Sequence, residues 1–135
     1  MSHAVTLNSS AILTDTVQYS CSATVEPPAR LVVLAGACPL DRAGDVVAPG
    51  DHAAQAAKCV ENMIVALAEA GASLENVVGT RVLVASSEQA DLVTAWDVVR
   101  DAFREHPAPS TLMGATVLGY PGQLVEIEAS AAVRD

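Results

Sequence analysis

At 135 residues the chain has room for one domain and little room for two. Its formal charge is −9, with Lys58 the only lysine, so a phosphate backbone or an anionic membrane would be repelled and no basic stripe offsets this. The hydrophobic fraction is 51% and the charged fraction only 17%, against about 25% charged in ordinary globular chains; a domain this small cannot hide so much apolar surface alone, which points to a subunit interface or to a long ligand groove.

The first strand signal runs from Val17 to Val25, where Val17, Tyr19, Cys21, Ala23 and Val25 alternate with polar residues at the period of a half-buried strand. Glu26-Pro27-Pro28 breaks it. Leu31 to Ala35 is a short continuous apolar run, read as a buried strand. Residues 36–50 read as loop, with Pro39, Gly44, Pro49 and Gly50. A helix is predicted from about His52 to Ala70, with Asp51 as N-cap and Gly71 as stop. Ala56, Val60, Met63, Leu67 and Ala70 form its apolar stripe. Val77 to Ala85 is β-branched and apolar, a strand. A second helix is expected to start near Ser86 or Ser87, with Ser86 and Gln89 as a capping box and Leu92, Trp96, Val99 and Phe103 on its buried face. Pro107 and Pro109 end it. Thr111 to Leu118 reads as a strand, Tyr120-Pro121-Gly122 as a turn, and Leu124 to Val133 as the last strand. Val125, Ile127, Ala129, Ala131 and Val133 share one face of that strand, with Glu126, Glu128 and Ser130 on the other.

The order is ββαβαββ over residues 1–135, a two-layer α+β domain with both helices on one face of a mixed sheet. The far face of the sheet is then left for other subunits. No apolar run reaches the roughly 20 residues of a membrane helix; residues 110–125 are uncharged but broken by Gly114, Gly119, Pro121, Gly122 and Gln123. The N-terminus lacks a basic region followed by an apolar one, so no signal peptide is expected. Three cysteines, Cys21, Cys38 and Cys59, form no Cys-x-x-Cys pair, which suggests reduced thiols in a cytoplasm. His3, His52 and His106 are scattered without metal-ligand spacing, and no Gly-rich phosphate loop occurs, so neither a metal nor a cofactor is expected.

Several short motifs, in order and near the right spacing, resemble the Rid family of small trimeric proteins, also called YjgF. Pro39-Leu40-Asp41-Arg42-Ala43-Gly44 is similar to the family's P-L-D-x-x-G turn. Gln55 and Asn62 sit where its first helix carries Q and N. Residues 70–78, Ala-Gly-Ala-Ser-Leu-Glu-Asn-Val-Val, are similar to its helix-to-strand link. Val125-Glu126-Ile127-Glu128-Ala129 matches its closing V-E-I-E-A strand. The resemblance covers nearly the whole chain. It implies a chorismate-mutase-like fold, a homotrimer, and small-molecule pockets between adjacent subunits where imines or enamines are deaminated.

The family's functional positions carry over unevenly. Tyr19-Ser20 resembles a strand segment whose tyrosine lines the pocket, although Gln18 replaces a proline; packing in the sheet interface is the other reading of Tyr19. Ala35 stands before Gly36 where the family has serine. An arginine that grips the substrate carboxylate belongs in a P-x-R-S/T segment. Here Pro107-Ala108-Pro109-Ser110-Thr111 puts Pro109 or Ser110 at that place. The loop to the closing motif is longer than usual, so the register stays open. Glu126 resembles the glutamate that positions water. The site implied is therefore catalytic Glu126 with Tyr19, Ala35, Gly36, Pro109, Ser110 and Thr111 around the ligand.

A carboxylate can move the protons of imine hydrolysis, while arginine binds a substrate carboxylate bidentately. Losing one charged hydrogen bond is worth about 1.5–3 kcal/mol, so 2-imino acids should bind poorly. The expected function is a hydrolytic deaminase acting on some other imine, enamine or related metabolite. A non-catalytic ligand-binding trimer, or an accessory partner of a metabolic enzyme, is the alternative. A nuclease or translation inhibitor, the role attached to some relatives, sits badly with the acidic charge. Among other residues, Ser110 reads as a ligand donor or a turn cap, Arg104 and His106 as an exposed helix end, Cys21 as a buried inert thiol, and Glu128 as structural or surface. Arg81, on an apolar strand, needs an acidic partner, with an interface carboxylate the plain candidate.

Overall fold

The structure is a computed structural model and describes residues 3–135. An antiparallel hairpin leads the chain, pairing β1 (Val5–Asn8) with β2 (Ser22–Val25). There follow β3 (Arg30–Val33), α1 (His52–Glu69), a short 3-10 turn (Leu74–Asn76), β4 (Val77–Ala85), α2 (Gln89–Ala102), β5 (Ser110–Ala115) and β6 (Val125–Val133). The main sheet has the order β3-β6-β4-β5. β4 and β5 are parallel, as a helical crossover requires, and the other neighbours are antiparallel. The α+β architecture with a mixed sheet and two helices is thus present, and its element order is βββαβαββ.

Alternation on β6 decides what lies between the layers. Val125, Ile127, Ala129, Ala131 and Val133 are buried. They meet Met63 and Leu67 of α1, Val82 and Val84 of β4, and Val99 of α2 in one core. α1 starts where Asp51 Oδ1 accepts the Ala54 N–H at 2.9 Å and stops at Gly71, whose φ of 80° suits glycine.

Five local readings are corrected. β1 was not legible: its four residues carry too little alternation to stand out, and only pairing with β2 makes them a strand. The strand expected over residues 17–25 shrinks to Ser22–Val25, because the Ser20 N–H leaves the hairpin for the Pro107 carbonyl at 2.9 Å. The strand read as buried over residues 31–35 is Arg30–Val33, with Val32 buried but Leu31 and Val33 exposed at 68% and 69%; it is an edge strand covered on one face. The Ser86–Gln89 capping box does not form. Ser86 Oγ instead accepts from Glu88 N at 2.9 Å and donates to Asp91 Oδ2 at 2.7 Å, and α2 begins at Gln89. β5 also stops at Ala115, short of Leu118.

Two amides of α1 tie down the loops at one end of the sheet. Gln55 is fully buried. Its Oε1 accepts the Leu124 N–H at 2.7 Å, and its Nε2 donates to Gly122 O at 3.1 Å and Ala48 O at 3.3 Å. Asn62 Nδ2 donates to Cys38 O at 2.9 Å and Leu40 O at 3.0 Å. No helix among the described residues is long and apolar enough to cross a membrane.

Substituting Gln55→Leu keeps the volume but leaves an N–H and two carbonyls unmatched in the interior. Urea unfolding is expected to show a loss of about 1–3 kcal/mol; a gain would mean that burial, not hydrogen bonding, governs this position.

Candidate functional site

The face of β6 turned away from the helices carries Glu126, Glu128 and Ser130. The ladder with β4 sets Glu126 opposite Leu83 and Glu128 opposite Arg81. Two grooves flank this row. The first, about 560 Å3, is lined by Tyr19, Cys21, Arg81, Pro109, Ser110, Thr111 and Glu128 among others. The second, about 300 Å3, is lined by Ala35, Gly36, Cys38, Asn62 and Tyr120 among others. Leu34 lines both. The structure therefore groups Tyr19, Pro109, Ser110 and Thr111 in one groove and Ala35 and Gly36 in the other, with Glu126 packed against Gly36.

Glu126 is half-buried. Its Oε1 accepts from Cys38 Sγ at 3.2 Å and from Gln123 Nε2 at 3.1 Å. A Cβ added at Gly36 would stand 2.3 Å from Glu126 Oε2 and 2.7 Å from its Cδ, so a larger residue there would push the carboxylate aside. Cys38 and Gln123 did not stand out in the sequence. Cys38 sits in an irregular loop with no period to mark it, and Gln123 falls between the residues read as a turn and those read as the last strand.

Burial, then the hydrogen bond and charge of Glu126, push the Cys38 thiol up from 9.0 to about 11. Burial chiefly pushes the Cys59 thiol up further, and its Sγ donates to Val125 O at 3.4 Å. Neither is a thiolate nucleophile near neutral pH. Cys21, expected buried, is exposed on the chain and lines the first groove. Among the described residues no cluster of three His, Cys, Asp or Glu could hold a metal ion.

Arg81 finds its acidic partner in its own chain. Nη2 donates to Glu128 Oε1 at 2.8 Å across the β4–β6 ladder, so no interface carboxylate is required. Ser110 does not cap a turn: as the first residue of β5 its Oγ accepts from Thr80 Oγ1 at 2.7 Å. Tyr19 makes an edge-on contact with Trp96, ring centres 6.1 Å apart. Gln18, in place of a proline, accepts from Trp96 Nε1 at 3.0 Å and holds this loop to α2. Arg104 is exposed and pairs with Asp101 at 3.1 Å. His106 is half-buried with Nε2 2.7 Å from Val77 O, so it is not a free helix end.

The sequence profile of the family described as Endoribonuclease L-PSP matches residues 10–133. The chain belongs to this family, also called YjgF or Rid. Solved Rid structures agree in fold. A Rid protein of unknown function from Yersinia pestis, YyfB, superposes with a TM-score of 0.87 at 26% identity, over 96% of this chain and 99% of that one. A Mycobacterium tuberculosis member of the YjgF/YER057c/UK114 family gives 0.65 at 32% identity, again over 96% and 99%. The Escherichia coli protein TdcF, solved with bound serine, gives 0.66 at 25% identity over 95% and 94%. Among curated proteins none matches this Rid chain in sequence.

The raised thiols make a pH prediction. Cys38 holds its proton more tightly in the folded chain than in the unfolded one, so its contribution is complete below about pH 9 and is lost as pH rises toward about 11. Unfolding free energy from urea titrations is expected to fall across that window, and to fall less steeply in the Cys38→Ala/Cys59→Ala double variant. Parallel curves would contradict the protonated, buried state of both thiols.

Proposed function

We propose that this Rid protein is a cytoplasmic homotrimer whose intersubunit pockets hydrolyse an imine, an enamine or a related small metabolite, with Glu126 carrying the protons. The observation that carries this reading is the state of the Glu126 carboxylate. Oε1 is occupied by two donors, whereas no hydrogen bond among the described residues reaches Oε2, which lies beside Gly36. A carboxylate with one open oxygen can take a proton from water as it adds to the C=N carbon. Addition to the protonated imine leaves a neutral carbinolamine; the carboxyl returns its proton to nitrogen, and as the C–N bond breaks the hydroxyl gives its own proton to the carboxylate, leaving ammonia and a carbonyl.

Trimer formation would join the two grooves of neighbouring chains into one pocket. The exposed Leu31 and Val33 support an interface there, and the free cysteines support a reducing compartment. Tyr19, Ala35, Gly36, Pro109, Ser110 and Thr111 would line that pocket. A bound serine in TdcF supports a ligand of amino-acid size. The charge of −9 weighs against the ribonuclease activity that the family's description carries.

Pro109 opens toward the first groove with no donor to offer. Arg81 reaches the same groove, but Glu128 already neutralises it. A 2-imino acid is therefore a poor substrate here. The same observation favours a second reading, a binding protein or enzyme partner without catalysis.

Sedimentation should give a trimer. Ammonia release from a panel of freshly generated imines is expected to be slow for iminopropionate and faster for a member without a carboxylate. Glu126→Gln should lower the faster rate by about 10²–10⁴-fold, and the exposed-site control Glu61→Gln should leave it unchanged. Metabolites that raise the melting temperature without any turnover would favour the binding protein; rapid iminopropionate hydrolysis would defeat the argument from Pro109.

A further inference from the structure

We infer that Cys38 and Gln123 are positioning residues for Glu126, clamping one carboxylate oxygen so that proton transfer is confined to the other. The inference deepens the reading of Glu126 as proton carrier and rests on it for its catalytic consequence; the clamp itself is a matter of geometry.

A carboxylate oxygen has two lone pairs to offer. On Glu126 Oε1 both are taken, one by the Cys38 thiol at 3.2 Å and one by the Gln123 amide at 3.1 Å. Any water or substrate that meets this group must therefore use Oε2. The side chain cannot drift freely, because its carboxylate fills the space left by the missing Cβ of Gly36.

Both donors are themselves held. Gln123 is 3% exposed. Its Oε1 accepts the Tyr120 N–H at 3.1 Å, which leaves Nε2 to face Val125 O at 3.0 Å and Glu126. That set of partners fixes which end of the amide is the donor. Cys38 is placed by its carbonyl, which Asn62 holds from α1. The thiol hydrogen has two acceptors in reach, Gly36 O at 3.6 Å and Glu126 Oε1 at 3.2 Å. The nearer and charged one wins. Because this thiol stays protonated up to about pH 11, it remains a donor throughout the range in which Glu126 works. Across the β4 ladder the neighbour of Glu126 is the apolar Leu83, and the titratable group behind Cys38 is Cys59 on α1.

Two measurements test the clamp. The first needs no activity. In a Cys21→Ser/Cys59→Ala background, thiolate absorbance follows Cys38 alone. Its midpoint is expected near 11 with Glu126 present and lower after Glu126→Gln, when the carboxylate's hydrogen bond and charge no longer raise it, while burial, the largest cause, and the lowering contact with Gln123 remain. An unchanged midpoint overturns the inference. The second is kinetic. Cys38→Ala should lower kcat about 10-fold with KM little altered, and Cys38→Ser, which keeps a donor, should restore most of it. Cys38→Ala with wild-type kcat, or equal losses in the alanine and serine variants, also overturns it. Should the wild-type chain turn over no imine, the role of Glu126 as proton carrier falls, while the thiol shift still decides whether the clamp exists.

Discussion

Everything at the polar end of this molecule hangs on two amide side chains of one helix. Gln55 reaches from α1 into the 119–124 turn, and Asn62 reaches into the loop after β3. A buried amide such as Gln55 is costly unless its donors and acceptor are met, and here the loop backbones meet them, as they also accept from the half-buried Asn62. Each loop then presents one donor to Glu126, Gln123 from one side and Cys38 from the other. No hydrogen bond among the described residues joins the helix to the carboxylate, yet the helix holds the loops around it.

The outer face of the sheet follows a different logic. Its helix-facing side is sealed by apolar packing, whereas its other side carries a cross-strand ion pair, a tyrosine seated on Trp96, and exposed aliphatic side chains on β3. An isolated chain would leave that mixture in water. The low charged fraction of the sequence and the exposed Leu31 and Val33 on β3 agree: part of the apolar surface lies outside this chain's own core.

Much of this was legible beforehand, for reasons tied to particular residues. Asp51 and Gly71 mark the ends of α1 because capping chemistry is local. The alternation from Val125 to Val133 placed Glu126 and Glu128 on one face because a strand's period is two. The motifs around Pro39, Gln55, Asn62 and Glu126 led to the family. Less could be read where a partner decides the outcome. β1 exists because β2 pairs with it, and the segment holding Tyr19 leaves the strand because Pro107 offers a carbonyl elsewhere.

The residues alone determined the α+β class, both helices, the buried face of β6 and the family to which the chain belongs, since periodicity, caps and ordered motifs are properties of neighbours along the chain. Only the tertiary structure decided that Arg81 is answered by Glu128, that Ser110 is answered by Thr80, and that Cys38 and Gln123 converge on Glu126. Those contacts join residues from separate strands and loops, and no local pattern encodes where a loop's thiol will stand once a helix amide has caught its carbonyl.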